Sequence, residues 1–479
     1  MRRFLHSSIR VIFLLTIGAL IWTGWYASTH GFSRKWRERV TKELRKLGAQ
    51  VYVHRLTLDP LRGLVAREVV ISDPRNPQTH FATINRVVLD INYSNLLHGE
   101  PFLNAVDLHD AEVTLPLDPA DPASERVNIS RLSARLLLSA DELYLSQAEA
   151  QIAGMQISAH GRLQNPRAFK PSPTAAPGGG AGRSAFETLL KELRSTHFEG
   201  GPPQIEIEFG GDIAEPRTLF ADATLWGEKV RRGSYVIENC FASLSYRDRA
   251  CELKRCSLSD AHGAFDASGS YDFVSAKATL RVRSTIDLQA LTHSLRVPHL
   301  LDEFVFYDPP LLEFSAEGVL GKESQIKLLG RVELGKFAFK SALFEEAATS
   351  FSYDGSRWYL RGSHLRDRTG KITANALQES GNFRAQLSSS INPRSLLPLL
   401  SGKPAQLLGE WDFAQSPQIE LAVSGASPDI AQCEAQGEIK LGRTRMRGVP
   451  LKSASAIMRV KDNVVSYENF RVDRDEGSG

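Results

Sequence analysis

Cysteine is scarce in this chain: four residues in 479, with no C-x-x-C pair. That excludes a disulfide-dense secreted scaffold and a cysteine-rich zinc module. An excess of one charge is lacking as well. Lys and Arg number 58 against 55 Asp and Glu, a formal net charge of +3, which excludes a nucleic-acid binder that works through bulk positive charge. No P-loop, G-x-S-x-G, H-E-x-x-H or EF-hand pattern is present, and the twelve histidines are scattered without ligand spacing. Asp107, His109 and Asp110 form the tightest acid–histidine group; with no further partner they read as a polar strand edge. These absences predict a chain that is not an enzyme, with no catalytic residues, metal or cofactor. What remains is 42% hydrophobic and 24% charged, enough apolar content for a sizeable core and unlike a disordered chain.

One segment does not belong in water. Residues 11–27 (VIFLLTIGALIWTGWYA) carry no charge; as a helix rising ~1.5 Å per residue they span about 26 Å, against a hydrocarbon core of ~30 Å. Trp22, Trp25 and Tyr26 cluster at one end, where amphipathic rings favour the membrane interface. Trp25-Tyr26-Ala27 is a poor signal-cleavage site, so an uncleaved anchor is expected. Over residues 32–47, Phe32, Trp36, Val40, Leu44 and Leu47 share one helical face, with seven Lys and Arg on the remainder. Such a basic amphipathic helix either lies on lipid headgroups or caps a β-domain. Seven basic residues after the anchor against three before it point, by the positive-inside rule alone, to a cytoplasmic body.

Beyond residue 50 the period becomes two. Val87, Leu89, Ile91 and Tyr93 alternate with polar residues, as do Ala278, Leu280, Val282 and Ile286, and again Phe383, Ala385, Leu387 and Ile391. This marks strands with one apolar face. Helices are expected only over 184–195, 288–301 and 393–408, too few to cover those faces. Residues 166–183 are rich in Pro, Gly and Ala and read as a spacer loop.

The repeat is the most informative pattern. PQIEIEFGG, PLLEFSAEG and PQIELAVSG start at Pro203, Pro310 and Pro417, an interval of 107. LLDEF at Leu300 and LLGEW at Leu407 keep the same interval, as do Gly263, Gly370 and Gly477. The predicted organisation is a tandem array of antiparallel units, each with one helix. Its parts are a tail and anchor (1–30), the basic helix (31–48), a β-domain (49–165), a linker with a short helix (166–202), repeat units at 203–309 and 310–416, and an incomplete unit at 417–479. Gly477 falls mid-unit, so the array is expected to continue in a longer protein. Cys240, Cys251 and Cys256 lie close together. With Arg247-Asp248-Arg249 as a hairpin turn, paired positions sum to 496 and Cys240 faces Cys256, as a disulfide or as two buried thiols.

The anchor, the amphipathic helix, VYVHRLTLDPLRGLVAREVVISDP (51–74) and INRVVLDINYSNLLHGEPFLNAVDLHDAEVTLPL (84–117) together resemble the opening of AsmA-like proteins. The resemblance covers about residues 1–120; beyond it rests on the β-repeat. It implies a bacterial inner-membrane anchor, a periplasmic body, and a repeating β-groove whose apolar interior carries phospholipid between membranes. Long domains translocate largely regardless of charge, so the periplasmic placement is the expectation despite the basic helix. The predicted fold is therefore mainly β: a transmembrane helix followed by an elongated antiparallel groove, polar outside and apolar inside. Its lining is expected to include Ile205, Ile207 and Phe209, then Leu280, Val282 and Ile286, and then Ile419, Leu421 and Val423. Trp22, Trp25, Tyr26, Phe32 and Trp36 are expected at the membrane interface. The expected partners are phospholipid, the inner membrane and other envelope proteins, with no nucleic acid. A scaffold for outer-membrane proteins that binds clients through sheet edges is the other reading.

Overall fold

The computed structural model describes residues 50–59, 63–72, 80–92, 94, 103–116, 126–139, 141–168, 196–294, 301–400, 402–427, 433–461, 464–474 and 477–478. The predicted anchor, the basic helix, their five interface aromatics, Tyr93 and the helix over 184–195 lie outside these residues. Among the described residues, no helix is long and apolar enough to cross a membrane. The described chain is mainly β with few and short helices, as the period-two pattern predicts. It forms two compact units, Met1–Gly227 with Ser245–Asp248, and Glu228–Leu244 with Arg249–Gly479. The division falls inside the expected repeat unit 203–309.

In the first unit, β1 (Gln50–Asp59), β2 (Gly63–Ser72), β3 (His80–Ile91), β4 (Leu103–Pro116), β5 (Arg126–Leu138), β6 (Glu142–Ile152) and β7 (Met155–Gln164) pair antiparallel in chain order. After a two-residue strand β8 (His197–Phe198), β9 (Gln204–Asp212) runs parallel to β7, and β10 (Phe220–Arg232) returns antiparallel to β9. A parallel neighbour needs a long crossover connection. The chain between β7 and β9, residues 165–203, makes this connection and includes the Pro/Gly-rich stretch.

The core of this unit holds Val53, Leu56, Leu64, Ala66, Val69, Ile84, Val87, Leu89, Ile91 and Ala111. Its members change parity along each strand: Leu64 and Ala66 give way to Val69, and Ile84 to Val87. The switch occurs at one line of polar residues. The ladders skip His54/Glu68 and Asn85/Asp110, and Glu68, Asp110 and Arg131 have positive φ. Each such residue resets the alternation, as a bulge does. Asn85 Nδ2 donates to Asp110 Oδ2 at 2.9 Å across the line, which occupies part of the acid–histidine group singled out above.

The second unit continues through β11 (Tyr235–Arg247), β12 (Ala250–Ser259), β13 (Ala264–Asp272), β14 (Lys277–Ser284) and α1 (Leu288–Ser294). Next come β15 (Phe304–Phe306), β16 (Leu311–Val319), β17 (Lys327–Leu334), β18 (Phe337–Phe339), β19 (Ala342–Phe344), β20 (Glu346–Tyr353), β21 (Arg357–Arg366), β22 (Lys371–Glu379) and β23 (Asn382–Ser389). A 3₁₀ turn (Pro393–Leu399) and α2 (Lys403–Gly409) precede β24 (Trp411–Phe413), β25 (Gln418–Gly425), β26 (Cys433–Leu441), β27 (Thr444–Met446), β28 (Val449–Leu451), β29 (Ser453–Lys461), β30 (Val464–Arg474) and β31 (Gly477–Ser478). The helix expected over 393–408 is thus two pieces. Pro398 sits inside the first and Gly402, at φ +67°, separates it from the second.

Strands β12–β13–β14–β16–β17–β20–β21–β22–β23–β25–β26–β29–β30 each pair antiparallel with the next. Two three-stranded caps stand apart, β15–β18–β19 and β24–β27–β28. Their strands start at 304, 337 and 342, and at 411, 444 and 449, so the interval of 107 holds in three dimensions. Each cap is closed by an ion pair at matching positions, Lys340–Glu303 at 3.3 Å and Arg447–Glu410 at 2.8 Å.

A carboxylate also recurs at this interval. Asp260 Oδ1 accepts the N–H groups of His262 and Gly263, and Oδ2 accepts from Tyr235 Oη and Asp287 N. Asp367 Oδ1 accepts from Thr369 N, Thr369 Oγ1 and Gly370 N, and Oδ2 from Ser395 Oγ. Each ties a hairpin turn to the segment that leaves the sheet. Burial alone would raise the Asp367 carboxyl, but these donors outweigh it and hold it below the usual carboxylate range. Asp367→Ala strands the turn's N–H groups and is expected to cost about 1–3 kcal/mol, read as a lowered Tm. The contribution of a depressed carboxylate is complete above an unfolded pKa of ~3.9 and is lost as pH falls through the folded value. The wild-type advantage over Asp367→Ala should therefore shrink as the pH is lowered from 7 to below ~3.9, measured by denaturation across that range.

Candidate functional site

The candidate site is the apolar face of the second unit's sheet. Register alone lines it up. Val282 on β14 stands opposite Phe314, and the same row continues through Phe351, Leu360, Ala385 and Val423 to Val460 on β29. A neighbouring row carries Leu312, Val332, Leu387, Leu421 and Met458. The other face carries the charge, with Arg283 opposite Glu313 and Glu313 opposite Arg331. Lys440–Glu438, Lys461–Glu434 and Arg459–Glu468 are ion-paired there at 2.8–3.1 Å. Side chains alternate across a strand, so one periodicity produces both faces.

Burial separates this face from a filled core. Along β23, β25 and β26 exposed residues alternate with half-buried ones, and Ile419, Leu421 and Val423 are all half-buried. In the first unit the core side chains are fully buried. Among the described residues, the second unit's only cluster of fully buried apolar side chains is at the first cap. There Phe337, Ala342 and Phe344 pack with Phe304, Phe306 and Phe339 onto Leu334, Ala347 and Leu365 at the strand ends.

Two cavities open on the apolar face. One of about 330 Å³ is floored by Val332, Leu334, Ala347, Thr349, Leu360 and Leu365. The other, about 620 Å³, lies between Ile419, Ile439, Leu441 and Ala454 of the sheet and Leu407, Trp411, Phe413 and Met446 of α2 and the second cap.

The expected lining residues divide. Ile419 lines the larger cavity, and Leu421 and Val423 sit half-buried beside it. Leu280 is 38% exposed on the open face. Val282, 9% exposed, stands on the apolar face opposite Phe314, whereas Ile286, 1% exposed, does not continue that row. Ile286 lies beyond the end of β14 at Ser284, where the chain turns into α1 beside the Asp260 anchor. Ile205, Ile207 and Phe209 are half-buried in the first unit, paired with Ile157, Ala159 and Gly161 on β7 and with Leu225, Ala223 and Ala221 on β10. Gly161 leaves room for the Phe209 ring, which would lie 2.7 Å from a Cβ there.

The Cys240–Cys256 bridge is not formed; none of the four cysteines is in a disulfide. The turn is two residues, Asp248 and Arg249, both at positive φ as a type I′ hairpin requires. With β11 ending at Arg247 and β12 starting at Ala250, a count outward from the turn gives sums of 497 rather than 496. Burial, then the nearby Asp266 charge, raises the Cys256 thiol's pKa, so it stays protonated and unreactive.

Sequence reasoning missed the cap and α2 side chains, Leu407 and Met446 among them, and Phe470 of β30. A signal existed: FVF, FAF and ALF of the first cap recur 107 residues on as WDF, TRM and VPL.

Two substitutions one side chain apart test the map of this face. Val282→Asp buries an unpaired charge and is expected to cost several kcal/mol. Leu280→Asp, on the open part of the same strand, is expected to cost about 1 kcal/mol or less. Thermal midpoints of both variants, compared with wild type, read the difference. No family model, curated protein or solved structure matches this chain.

Proposed function

We propose that this is a membrane-anchored envelope protein whose apolar β-face takes up phospholipid acyl chains and conveys them between inner and outer membrane, without chemistry. The observation that carries the reading is the apolar face of β14 to β29, continuous in register and mostly half-buried. Soluble monomers rarely leave so large an apolar patch open. Each methylene withdrawn from water onto such a face contributes ~0.8 kcal/mol. That attraction is non-directional, so a chain held by it moves between neighbouring rows without breaking a specific bond. The uncharged stretch at 11–27 supplies the inner-membrane anchor, and the AsmA-like opening supports a periplasmic body.

The scaffold reading has one observation in its favour. Val464–Arg471 of β30 are all exposed, and among the described residues its outer edge pairs only at Asp473 and Arg474 with β31. An unpaired edge of that kind accepts a client strand.

Purification of the full chain from membranes separates the two. Wild type is expected to carry phospholipid, and Leu421→Asp with Val423→Asp is expected to lower that load several-fold while the thermal midpoint stays near wild type. An unchanged load in the folded variant overturns lipid conveyance, and a co-purified outer-membrane protein would favour the scaffold. A reporter fused after Gly479 is expected to be active only when exported; activity of a cytoplasm-only reporter there overturns the topology.

A further inference from the structure

The two cavities are the same place in successive repeats. Val332, Leu334, Ala347, Leu360 and Ser363 line the smaller; Ile439, Leu441, Ala454, Tyr467 and Phe470, each 107 residues later, line the larger. The floors match, and what differs is the cap above them.

In the first cap five phenylalanines pack together, and the cavity beside them is about half the size of the other. Phe304 and Phe339 have ring centroids 4.7 Å apart, and Phe337 and Phe344 are stacked at 5.2 Å. The corresponding positions of the second cap are Trp411, Phe413, Thr444, Met446 and Leu451. Three rings have become smaller or thinner side chains, and one stacked pair remains, Trp411 on Phe413 at 5.9 Å. The Thr444 hydroxyl does not offer its polarity to the cavity, since it donates to the Asp412 carbonyl at 2.9 Å.

We propose that the cavity under the second cap is a seat for one alkyl chain, and that phenylalanines narrow the equivalent space in the preceding repeat to about 330 Å³, too little for the same chain. This rests on the reading of the face as a lipid path and adds where along it a chain is held. About 620 Å³ lies inside the ~300–1,000 Å³ range of small-molecule sites. Among the described residues no charged side chain lines it, and only Ser455, Tyr467 and the Trp411 indole bring a polar group. Water needs two to four polar partners to be held, whereas an apolar cavity admits apolar guests. The mouth presents large apolar side chains to solvent, Leu407 at 60% and Phe470 at 62% exposure. Such an arrangement suits the methylenes of a chain and leaves its headgroup outside.

The chain could come from a phospholipid or a free fatty acid, so the test has two arms. Full-length protein in detergent micelles is mixed with phosphatidylethanolamine–phosphatidylglycerol vesicles bearing a diazirine in one acyl chain, or with a soluble diazirine fatty acid. Irradiation and peptide mapping then locate the label. Label is expected on 403–413 and 464–474 and not on 337–344; the arm that produces it identifies the source. Met446→Trp with Ala456→Phe removes room for at least two methylenes and is expected to lower labelling about tenfold. Phe337→Thr with Phe339→Met and Phe344→Leu is expected to create label at 337–344. Circular dichroism melts establish that each variant is folded. Undiminished label in the plugged variant, or equal label at both caps of wild type, overturns the seat. Label confined to β23 and β25 also overturns it but leaves the lipid path standing, and no label anywhere in the second unit defeats both.

Discussion

A strand in a sheet satisfies its backbone with lateral neighbours, and that pairing covers neither face. The second unit depends on this constraint. Its strands follow one another in chain order, side chains of one parity are apolar, and the described residues supply no second layer to bury them. The charged face is at home in water, with ion pairs such as Lys461–Glu434 across it. Most of the apolar face is left half-buried, and protein covers it fully only at points such as Val282, Ala454, Ala456 and the strand ends under the first cap.

The repeat keeps this two-faced arrangement intact. A slip of one residue would exchange the charged and apolar faces, so length changes must fall in turns and be even. The β13–β14 turn, 273–276, has four residues and the β22–β23 turn, 380–381, has two. That difference preserves parity. Irregularities recur as well: Gly362 and Asn469, 107 apart, both hold positive φ within bulged strands, where Gly is free of the Cβ penalty and Asn is the side chain most tolerant of it. The carboxylates of Asp260 and Asp367 then anchor each hairpin to the segment that crosses out of the sheet.

The first unit solves the covering problem differently. A line of polar residues, His54, Glu68, Asn85 and Asp110, inverts the alternation of four adjacent strands, and side chains of both parities meet in one buried core. Parity is reset by single residues in the left-handed region, so its core is closed where the second unit's face stays open.

Much of this was legible in the residues. Alternation at Phe383–Leu387 and Ile419–Val423 determined strands and their apolar side, because a period of two has one physical reading. The interval of 107 determined that whatever forms once forms again, and the structure repeats strands, caps and ion pairs at that spacing. Local counting failed where one residue decides the outcome. Asp248 and Arg249 make a two-residue turn where the sequence count used three, and Ile286 leaves the sheet although it continues the alternation. Neither Glu68 nor Asp110 advertises a left-handed backbone in its neighbours. Whether an apolar side chain is covered was decided only by tertiary structure. Val282 and Leu280 share a strand and a face, yet one is buried and the other open, because burial depends on what other segments bring over that point. The same holds for the two caps: five rings narrow the cavity at one and three substitutions widen it at the other, and only the folded chain sets them over the same floor.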